Sequence, residues 1–245
     1  MKYGVQLYSV RDAVKEIGMA ETLRRVAKIG YQSVELAGMG DLTAAELRQA
    51  LDANALTVDG AHVGIKAFLP DQIDTTMRDM DIVSCRNLII PAAKVKTKAE
   101  IDLFLDQLAV ALPTLRRAGF AVGFHNHDVE FRPNEDGIIP MDVLTRETDL
   151  FFELDTYWAF HAGKDPLAVM DEMGTRLRMI HIKDGIPSLG NDGGMPLGRG
   201  EAPVAAVYQK ALAKKLPLIV ESETLKPSGM DEITVCLDYL KSLEG

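Results

Sequence analysis

The chain has 245 residues, with 27 Lys and Arg against 36 Asp and Glu, so its formal net charge is −9 at pH 7. Hydrophobic residues make up 47% of the sequence, but no apolar run approaches the roughly 20 residues of a membrane span, which excludes an integral membrane protein. The acidic balance, without a stripe of clustered Lys and Arg, argues against nucleic acid as a partner.

Eight short apolar or β-branched runs predict strands along the chain. They lie at residues 3–7, 33–36, 57–62, 87–90, 121–125, 150–154, 179–182 and 216–220. Helical patterns alternate with them, at residues 19–29, 71–84, 101–118, 142–146, 166–173, 203–213 and 230–243. The segments Thr43 to Glu46 and Thr97 to Glu100 have the pattern of a capping box, which predicts that a helix begins at each. Each strand is therefore expected to be followed by a helix.

Eight successive strand–helix units in a chain of this length match a closed (β/α)₈ barrel, whereas an open doubly wound sheet usually has fewer units. No linker rich in Gly, Ser or Pro separates two halves. We therefore expect an α/β protein whose residues 1–245 form a single TIM barrel domain. Pro113 lies inside a helical pattern and is expected to kink or divide that helix, since proline lacks the backbone donor.

Two connections are unusually long for a compact barrel, at residues 126–140 and 184–201. Loops of this length are more often functional than idle. The second is rich in glycine and is interpreted as a lid over a ligand, with a flexible turn as the alternative. Its glycines are Gly185, Gly190, Gly193, Gly194, Gly198 and Gly200.

The two cysteines, Cys85 and Cys236, are far apart and each is predicted to lie in an apolar helical stretch. This usage is typical of reduced core packing and predicts a cytoplasmic protein. The first residues enter a strand pattern without the apolar region of a signal peptide, which agrees with that location.

Polar residues occur at the end of nearly every predicted strand, which is where a TIM barrel carries its active site. In strand order they are Gln6, Tyr8 and Arg11, then Glu35, then His62, then His125, Asn126 and His127, then Asp155, then His181, Lys183 and Asp184, and finally Glu221 and Glu223. Imidazoles and carboxylates converging from neighbouring strands suit one divalent ion such as Mn²⁺, Mg²⁺, Co²⁺ or Zn²⁺.

Each of these residues has an ordinary structural alternative when it is taken singly. His62 can cap a strand, Asp155 can accept from backbone amides, and Glu223 can be a solvated loop charge. An ordinary structural role is less favoured for Asp155, His181 and Glu221 taken together, because they end consecutive strands. Burying several ionisable groups together is costly unless they are paired or bind a cation.

Four segments resemble the xylose isomerase-like superfamily of sugar phosphate isomerases and epimerases. They are residues 4–11 (GVQLYSVR), 124–131 (FHNHDVEF), 153–158 (ELDTYW) and 181–184 (HIKD). The resemblance covers nearly the whole chain and implies the barrel fold and the location of the site. It leaves the reaction open, because the superfamily also contains inosose dehydratases, keto-sugar epimerases and lyases, and endonuclease IV.

The resemblance implies one divalent ion held by groups from strands five to eight, in the order Glu, Asp, His, Glu. Asp155, His181 and Glu221 match the last three. Where many relatives have the first Glu, this chain has His125. Three alternatives follow: His125 replaces that ligand, His127 replaces it, or the ion has three protein ligands and water completes its coordination. Alternation places both histidines on the same side of the strand, so the sequence does not separate them. We take His125 as the expected ligand.

The expected catalytic residues are Glu221 as the base, Lys183 as a group that steadies negative charge, and Glu130 as an acid or base partner. For Lys183 the alternative is an ion pair with Asp184. Trp158 stands where many relatives have histidine, and it is expected to form either a stacking surface for a sugar or ordinary packing. The expected substrate-binding residues are Gln6, Arg11, Glu35, His62, His127 and Trp158.

The expected function is a metal-dependent isomerase or epimerase of a keto sugar or sugar phosphate, acting by proton abstraction through an enediolate. The first alternative is a dehydratase or lyase of inosose or a 3-keto sugar on the same metal site, since His125 replaces a second carboxylate. The second alternative is a sugar-binding barrel without turnover. The expected partner is a small sugar or polyol, with no nucleic acid and no membrane, and homo-oligomerisation is left open.

Overall fold

The computed structural model describes residues 2–244, and eight parallel strands in it close into a barrel. The predicted TIM barrel is thus confirmed, and every predicted strand is present within two residues of its expected ends. The barrel strands are β1 Tyr3–Gln6, β2 Ser33–Leu36, β3 Thr57–His62, β4 Asn87–Ile90, β5 Ala121–His125, β6 Phe151–Asp155, β7 Leu177–Ile182 and β10 Leu218–Val220. Around the barrel their order is β1-β10-β7-β6-β5-β4-β3-β2.

Ten α-helices surround the barrel within residues 2–244, and eight of them were expected from the sequence. They are α1 Arg11–Ile17, α2 Met19–Ile29, α3 Ala44–Ala53, α4 Ile73–Ile82, α5 Lys98–Arg117, α6 Pro140–Glu147, α7 Thr156–His161, α8 Pro166–Glu172, α9 Val204–Lys214 and α10 Gly229–Ser242. The sequence did not predict α1 and α7. No helix in the described part of the chain is long and apolar enough to cross a membrane.

The predicted capping boxes are formed at one helix and half-formed at the other. At α3, the Thr43 side chain accepts from the Glu46 backbone N–H, and the Glu46 carboxylate accepts from the Thr43 N–H in return. At α5, Thr97 accepts from the Glu100 N–H, but the Glu100 carboxylate accepts from the preceding Lys96 N–H instead. Both helices still begin at the expected residue.

Of the two expectations for Pro113, division of the helix is wrong, because α5 runs from Lys98 to Arg117 with Pro113 inside it, and a kink stays a prediction. Pro113 lies on the exposed side of α5, and so does Ala109, whose carbonyl loses the hydrogen bond that proline cannot donate. Water can satisfy that carbonyl. The buried face of α5 keeps its packing, which holds the helix together.

The lower part of the barrel interior is closed by four apolar side chains from four strands, Ile89, Phe151, Met179 and Ile219, which we name the apolar plug. Two glycines make room for it. A Cβ at Gly123 would lie 2.3 Å from Phe151 Cε2, and a Cβ at Gly60 would lie 2.5 Å from Ile89 Cδ1. The plug closes the barrel below the polar residues, so ligands must enter from the carboxyl ends of the strands.

Both cysteines are free and buried, as expected, and burial raises the pKa of each thiol to about 12. Cys236 lies in α10, as predicted. The prediction for Cys85 is wrong in one detail, because Cys85 lies in the connection between α4 and β4 and not in a helix.

The glycine-rich connection 184–201 is fastened to the barrel at its base. Its first two residues and two residues in its second half form a short antiparallel hairpin, β8 Asp184–Gly185 and β9 Gly194–Met195. The buried Asp184 carboxylate accepts hydrogen bonds from the backbone N–H groups of Gly185, Gly198, Gly200 and Ala202, at 2.8 to 3.1 Å. The interpretation of this loop as a lid therefore applies only to its tip, the exposed turn around Pro187–Asp192.

Replacing Asp184 with asparagine is expected to lower the free energy of unfolding by about 2 to 4 kcal/mol. One oxygen becomes an NH₂ group that faces backbone donors, and charge-assisted bonds contribute about 1.5 to 3 kcal/mol each. Urea unfolding monitored by circular dichroism measures the change. Asp192→Asn at the exposed tip is the matched control, with an expected change below about 0.5 kcal/mol. Equal stability of the two variants would refute the anchoring role.

Candidate functional site

The site is built in layers by the alternation of side chains along neighbouring strands. On β6, Glu153 follows the plug residue Phe151 on the same side of the strand, and Asp155 follows Glu153. The same spacing places His181 above Met179 on β7 and Glu221 above Ile219 after β10. A polar layer thus lies directly on the apolar plug and faces the barrel mouth.

Four side chains of this polar region form one compact group, which we name the ligand set: His125, Asp155, His181 and Glu221. Each offers one ligand atom, and these four atoms all lie within 4.8 Å of one another. All four residues are buried, with exposed fractions of 2%, 0%, 0% and 4%. The structure therefore brings together the four residues expected to bind a metal.

The donor atoms of the ligand set fit a divalent cation. Asp155 caps α7 by accepting from the Trp158 N–H with Oδ1, which leaves the buried Oδ2 without a hydrogen-bond partner. The buried Nδ1 of His125 also lacks a well-formed hydrogen bond, with Glu153 Oε2 3.4 Å away. Such groups are uncommon in folded proteins, because an unsatisfied buried polar atom costs free energy. Two carboxylates and two imidazoles are ligands that Mn²⁺, Co²⁺ and Zn²⁺ accept.

Burial sets the protonation of two members of the ligand set. Burial lowers the pKa of His125 to about 3, so its imidazole is neutral at pH 7 and keeps a lone pair. Burial also raises the pKa of Asp155 to about 7, against the opposing effect of Lys183. A bound cation would relieve the cost of burying the Asp155 charge.

Lys183 is buried among three carboxylates at the barrel mouth. Its Nζ lies 3.2 Å from Glu221 Oε2, 2.5 Å from Glu223 Oε2 and 3.7 Å from Asp155 Oδ2. Burial alone would lower the pKa of Lys183, but Glu221, Asp155 and Glu223 outweigh it and raise that pKa, so the ammonium group stays charged. The alternative ion pair with Asp184 is wrong, because the Asp184 carboxylate is occupied by backbone donors of its own loop.

His127 and Trp158 lie together above the ligand set. The His127 ring is 5.1 Å from the His125 ring and 5.7 Å from the Trp158 ring, measured between centroids. Lys183 Nζ lies 4.9 Å from the Trp158 ring centroid. His125 is the last residue of β5 and belongs to the ligand set, whereas His127 lies in the loop after β5 and does not. The Trp158 ring faces the mouth residues. Contact of His127 and Trp158 with substrate stays a prediction.

Glu130 and Arg11 each form hydrogen bonds with backbone groups at the barrel mouth. The buried Glu130 carboxylate accepts from the His127 backbone N–H at 2.8 Å, and burial raises the pKa of Glu130 to about 7. Arg11 donates to the backbone carbonyls of Tyr8 and Glu223, each at 2.8 Å, and so ties the end of β1 to the loop after β10. A catalytic role for Glu130 and a substrate-binding role for Arg11 stay predictions.

Gln6, Glu35 and His62 lie deeper than the sequence suggested. Gln6 Nε2 donates to Glu35 Oε2 at 2.6 Å, and both side chains are fully buried. His62 Nε2 lies 3.2 Å from the same Glu35 oxygen, and His181 Nε2 lies 2.6 Å from it. These contacts indicate that the three side chains hold His181 in place. Contact of Gln6, Glu35 and His62 with substrate stays a prediction.

Sequence reasoning missed Glu153 as a site residue. Its carboxylate is fully buried next to Glu35 and contacts three imidazoles, His62, His125 and His181, within 3.4 Å. We name Glu35 and Glu153 the carboxylate floor. The alternation of side chains along β6 could have identified Glu153 from the sequence. Glu153 precedes Asp155 by two residues on this strand, so both side chains face the barrel interior.

The comparisons with known proteins agree with this architecture. Residues 23–242 match the family model described as xylose isomerase-like TIM barrel. None of the curated proteins matches the chain. A sugar phosphate isomerase/epimerase from Parabacteroides distasonis ATCC 8503 is similar in structure, with 22% identity and a TM-score of 0.82 over 97% of this chain and 96% of that one.

Other solved structures share the fold at lower identity. The probable 3-DHS dehydratase AsbF from Bacillus anthracis has 14% identity and a TM-score of 0.79, covering 98% of this chain and 99% of that one. An AP endonuclease, family 2, from Brucella melitensis has 16% identity and a TM-score of 0.74 at the same coverages. Identities this low establish the fold alone, whereas the family model covers most of the sequence. The chain therefore belongs to the xylose isomerase-like TIM barrel family.

Proposed function

We propose that this protein is a divalent-metal-dependent isomerase or epimerase of a keto sugar or related polyol. The observation that carries the proposal is the convergence of His125, Asp155, His181 and Glu221, with ligand atoms within 4.8 Å of one another at the mouth of the barrel. Membership of a family that contains isomerases, epimerases and dehydratases supports the same class of chemistry.

The reaction begins with removal of a proton from the carbon beside the substrate carbonyl, and Glu221 is the proposed base. Burial would raise the pKa of Glu221, but Lys183 and His181 outweigh it and hold that pKa well below its usual range. The carboxylate is therefore ionised and free of a proton. A divalent ion, when bound, supplies Lewis-acid polarisation of the substrate oxygens, worth several kcal/mol.

Lys183 is the proposed partner of the charge that develops on the substrate oxygen. Its ammonium group lies at the same end of the barrel as Glu221, 3.2 Å from Oε2, and the surrounding carboxylates keep it protonated. A donor held in place costs no reorganisation during the reaction. Return of the proton to the resulting enediolate gives an isomer or epimer, with Glu130, whose pKa burial raises to about 7, as the proposed second acid.

A dehydratase or lyase is the second candidate, and one feature favours it. β5 ends at His125 and His127 follows in the next loop, so this part of the barrel supplies two imidazoles where a symmetric epimerase benefits from a second carboxylate. Burial, with Lys183 next, lowers the pKa of His127, so this ring is neutral at pH 7 and differs in kind from Glu221. Elimination, in which the same enolate expels a leaving group, needs no second carboxylate on the opposite face of the substrate, and so it suits this arrangement.

Turnover in D₂O followed by mass spectrometry distinguishes these reactions. For an isomerase or epimerase, we expect product of unchanged composition that carries deuterium at the carbon beside the carbonyl. Loss of water or of an aglycone, without an isomeric product, would replace our first choice with the dehydratase or lyase. No reaction with keto sugars, their phosphates or inosose, in protein that holds its metal, would favour a sugar-binding barrel without turnover.

A further inference from the structure

A cavity of about 190 Å³ lies next to the barrel mouth, between the start of α7, the tip of the connection 184–201 and the loop after β10. We name it the side pocket, and its lining includes Tyr157, Trp158, Asn191, Asp192, Glu223 and Lys226. Lys183 stands between this pocket and the ligand set, because its Nζ contacts both Glu223 Oε2 and Glu221 Oε2. The side pocket is therefore adjacent to the position where the proposed chemistry takes place.

Two buried hydrogen-bond donors in the lining have no partner among residues 2–244, namely the Tyr157 hydroxyl and the Trp158 indole N–H. Tyr157 is 1% exposed and Trp158 is 8% exposed, and their ring centroids are 5.3 Å apart. The Tyr157 hydroxyl lies against the β8–β9 hairpin, since a Cβ at Gly193 would be 3.0 Å from Tyr157 Oη. Buried donors without a partner are uncommon in folded proteins, so two adjacent ones indicate a ligand that satisfies them.

The chemistry of the lining indicates which group would pair with these donors. An indole N–H only donates, so the ligand must offer an acceptor oxygen. Asp192 and Glu223 contribute carboxylates, which only accept, and Glu223 is already paired with Lys183. A sugar hydroxyl both donates and accepts, and therefore suits a pocket that contains both kinds of group.

A phosphate group suits the same lining poorly. A phosphate mainly accepts hydrogen bonds and is commonly bound by arginine, but no arginine lines the side pocket in the described part of the chain. Lys226 is the cation of the lining, against the two carboxylates of Asp192 and Glu223. Like charges placed next to one another cost several kcal/mol in a binding site, so a phosphate dianion would be disfavoured here.

We propose that the side pocket is a substrate subsite that binds a hydroxyl-bearing, unphosphorylated end of the sugar or polyol, with Tyr157 Oη and Trp158 Nε1 donating to its oxygens. The proposal rests on the proposed function, because it concerns the part of the substrate remote from the reacting carbonyl. It narrows the substrate class to neutral keto sugars and polyols. It also gives Trp158 a role through its N–H, which differs from the stacking expected of its ring face.

NMR of the indole group tests the subsite directly, because Trp158 is the single tryptophan of the chain and its N–H gives one cross-peak in a proton–nitrogen spectrum. With Zn²⁺ present, we expect D-fructose, D-tagatose or inosose to shift the indole proton downfield as the N–H gains an acceptor. We expect D-fructose 1-phosphate and 6-phosphate to bind at least about tenfold more weakly. Tighter binding of the phosphates with the same shift would overturn the inference, and so would failure of all three neutral probes to shift the peak.

Tyr157→Phe removes one of the two donors and keeps the ring and the Trp158 reporter. A neutral hydrogen bond corresponds to about 3 to 10-fold in affinity, and we expect a loss of that size for the neutral probe that binds best. The urea midpoint of unfolding should not fall, because Tyr157 Oη has no partner in the described part of the protein.

Tyr208→Phe is the matched control, because Tyr208 is also 1% exposed but its Oη forms a hydrogen bond with Tyr3 Oη, 3.1 Å away at the start of β1. We expect this variant to unfold at a lower urea concentration and to keep its sugar affinity within about twofold of the wild type. If Tyr157→Phe instead loses stability as the control does and keeps its affinity, Tyr157 is a structural residue and the inference is wrong.

Turnover of the same probes separates the subsite from the proposed function. Neutral sugars that shift the indole peak, with none of them converted, would support the subsite and count against the proposed reaction. Conversion of a phosphorylated sugar, with no shift of the peak by the neutral probes, would overturn the subsite and leave the proposed reaction in place.

Discussion

Glu221→Gln is expected to lower kcat/KM for the true substrate by at least about 10³-fold while the barrel stays folded. The substitution conserves shape but removes the proposed base and one anionic member of the ligand set. A positioned base alone contributes roughly 10² to 10⁴-fold, and loss of the charge also weakens the cation site. Steady-state kinetics on the substrate identified by screening measures the effect.

Metal content must be measured on the same Glu221→Gln samples, because a variant without metal would be inactive for a different reason. Elemental analysis after loading with Mn²⁺ separates loss of the ion from loss of the base. Glu223→Gln is the matched control: Glu223 contacts Lys183 but lies outside the ligand set, so we expect an effect below about tenfold. Near-normal turnover by Glu221→Gln would refute the assignment.

Lys183→Met is expected to lower the free energy of unfolding of the metal-free protein by about 3 to 5 kcal/mol. Lys183 is the ammonium group buried between Asp155, Glu221 and Glu223, and removing one partner of a buried ion pair leaves uncompensated charge. The same loss of positive charge should raise the affinity for divalent ions, since the cation no longer competes with an ammonium group. Saturating Mn²⁺ should then recover part of the lost stability.

Urea unfolding with and without Mn²⁺ measures both effects in Lys183→Met. Lys210→Met is the control, because Lys210 pairs with the largely exposed Asp171 at the surface and such pairs contribute at most about 1 kcal/mol. If Lys183→Met destabilises the metal-free protein no more than the control does, the account of the buried charges is wrong.

The sequence predicts the fold well because barrel strands are short apolar runs that alternate with long amphipathic helices. The two missed helices lack this signal. α7, Thr156–His161, starts directly after β6, is rich in aromatic residues and is capped by Asp155, so it has no apolar period of its own. α1, Arg11–Ile17, has seven residues and a single buried side chain, Ala13.

For the site, the sequence predicts which side chains face the interior but not how deep they lie. Alternation along β6, β7 and β10 identifies Asp155, His181 and Glu221. The structure adds that a ligand atom of His125, and not of His127, lies within 4.8 Å of the ligand atoms of these three residues. Depth depends on the stagger between strands of a closed barrel, which no local pattern encodes. For that reason Glu35 was expected at the mouth and lies in the carboxylate floor.

Diffraction from crystals soaked in Mn²⁺, recorded at a wavelength with anomalous signal from manganese, tests the proposed metal centre most directly. We expect one anomalous peak among His125, Asp155, His181 and Glu221, with ligand atoms about 2.0 to 2.6 Å from it. A peak elsewhere, for example below His181 beside His62 and Glu153, or no peak at all in protein saturated with Mn²⁺, would contradict the account.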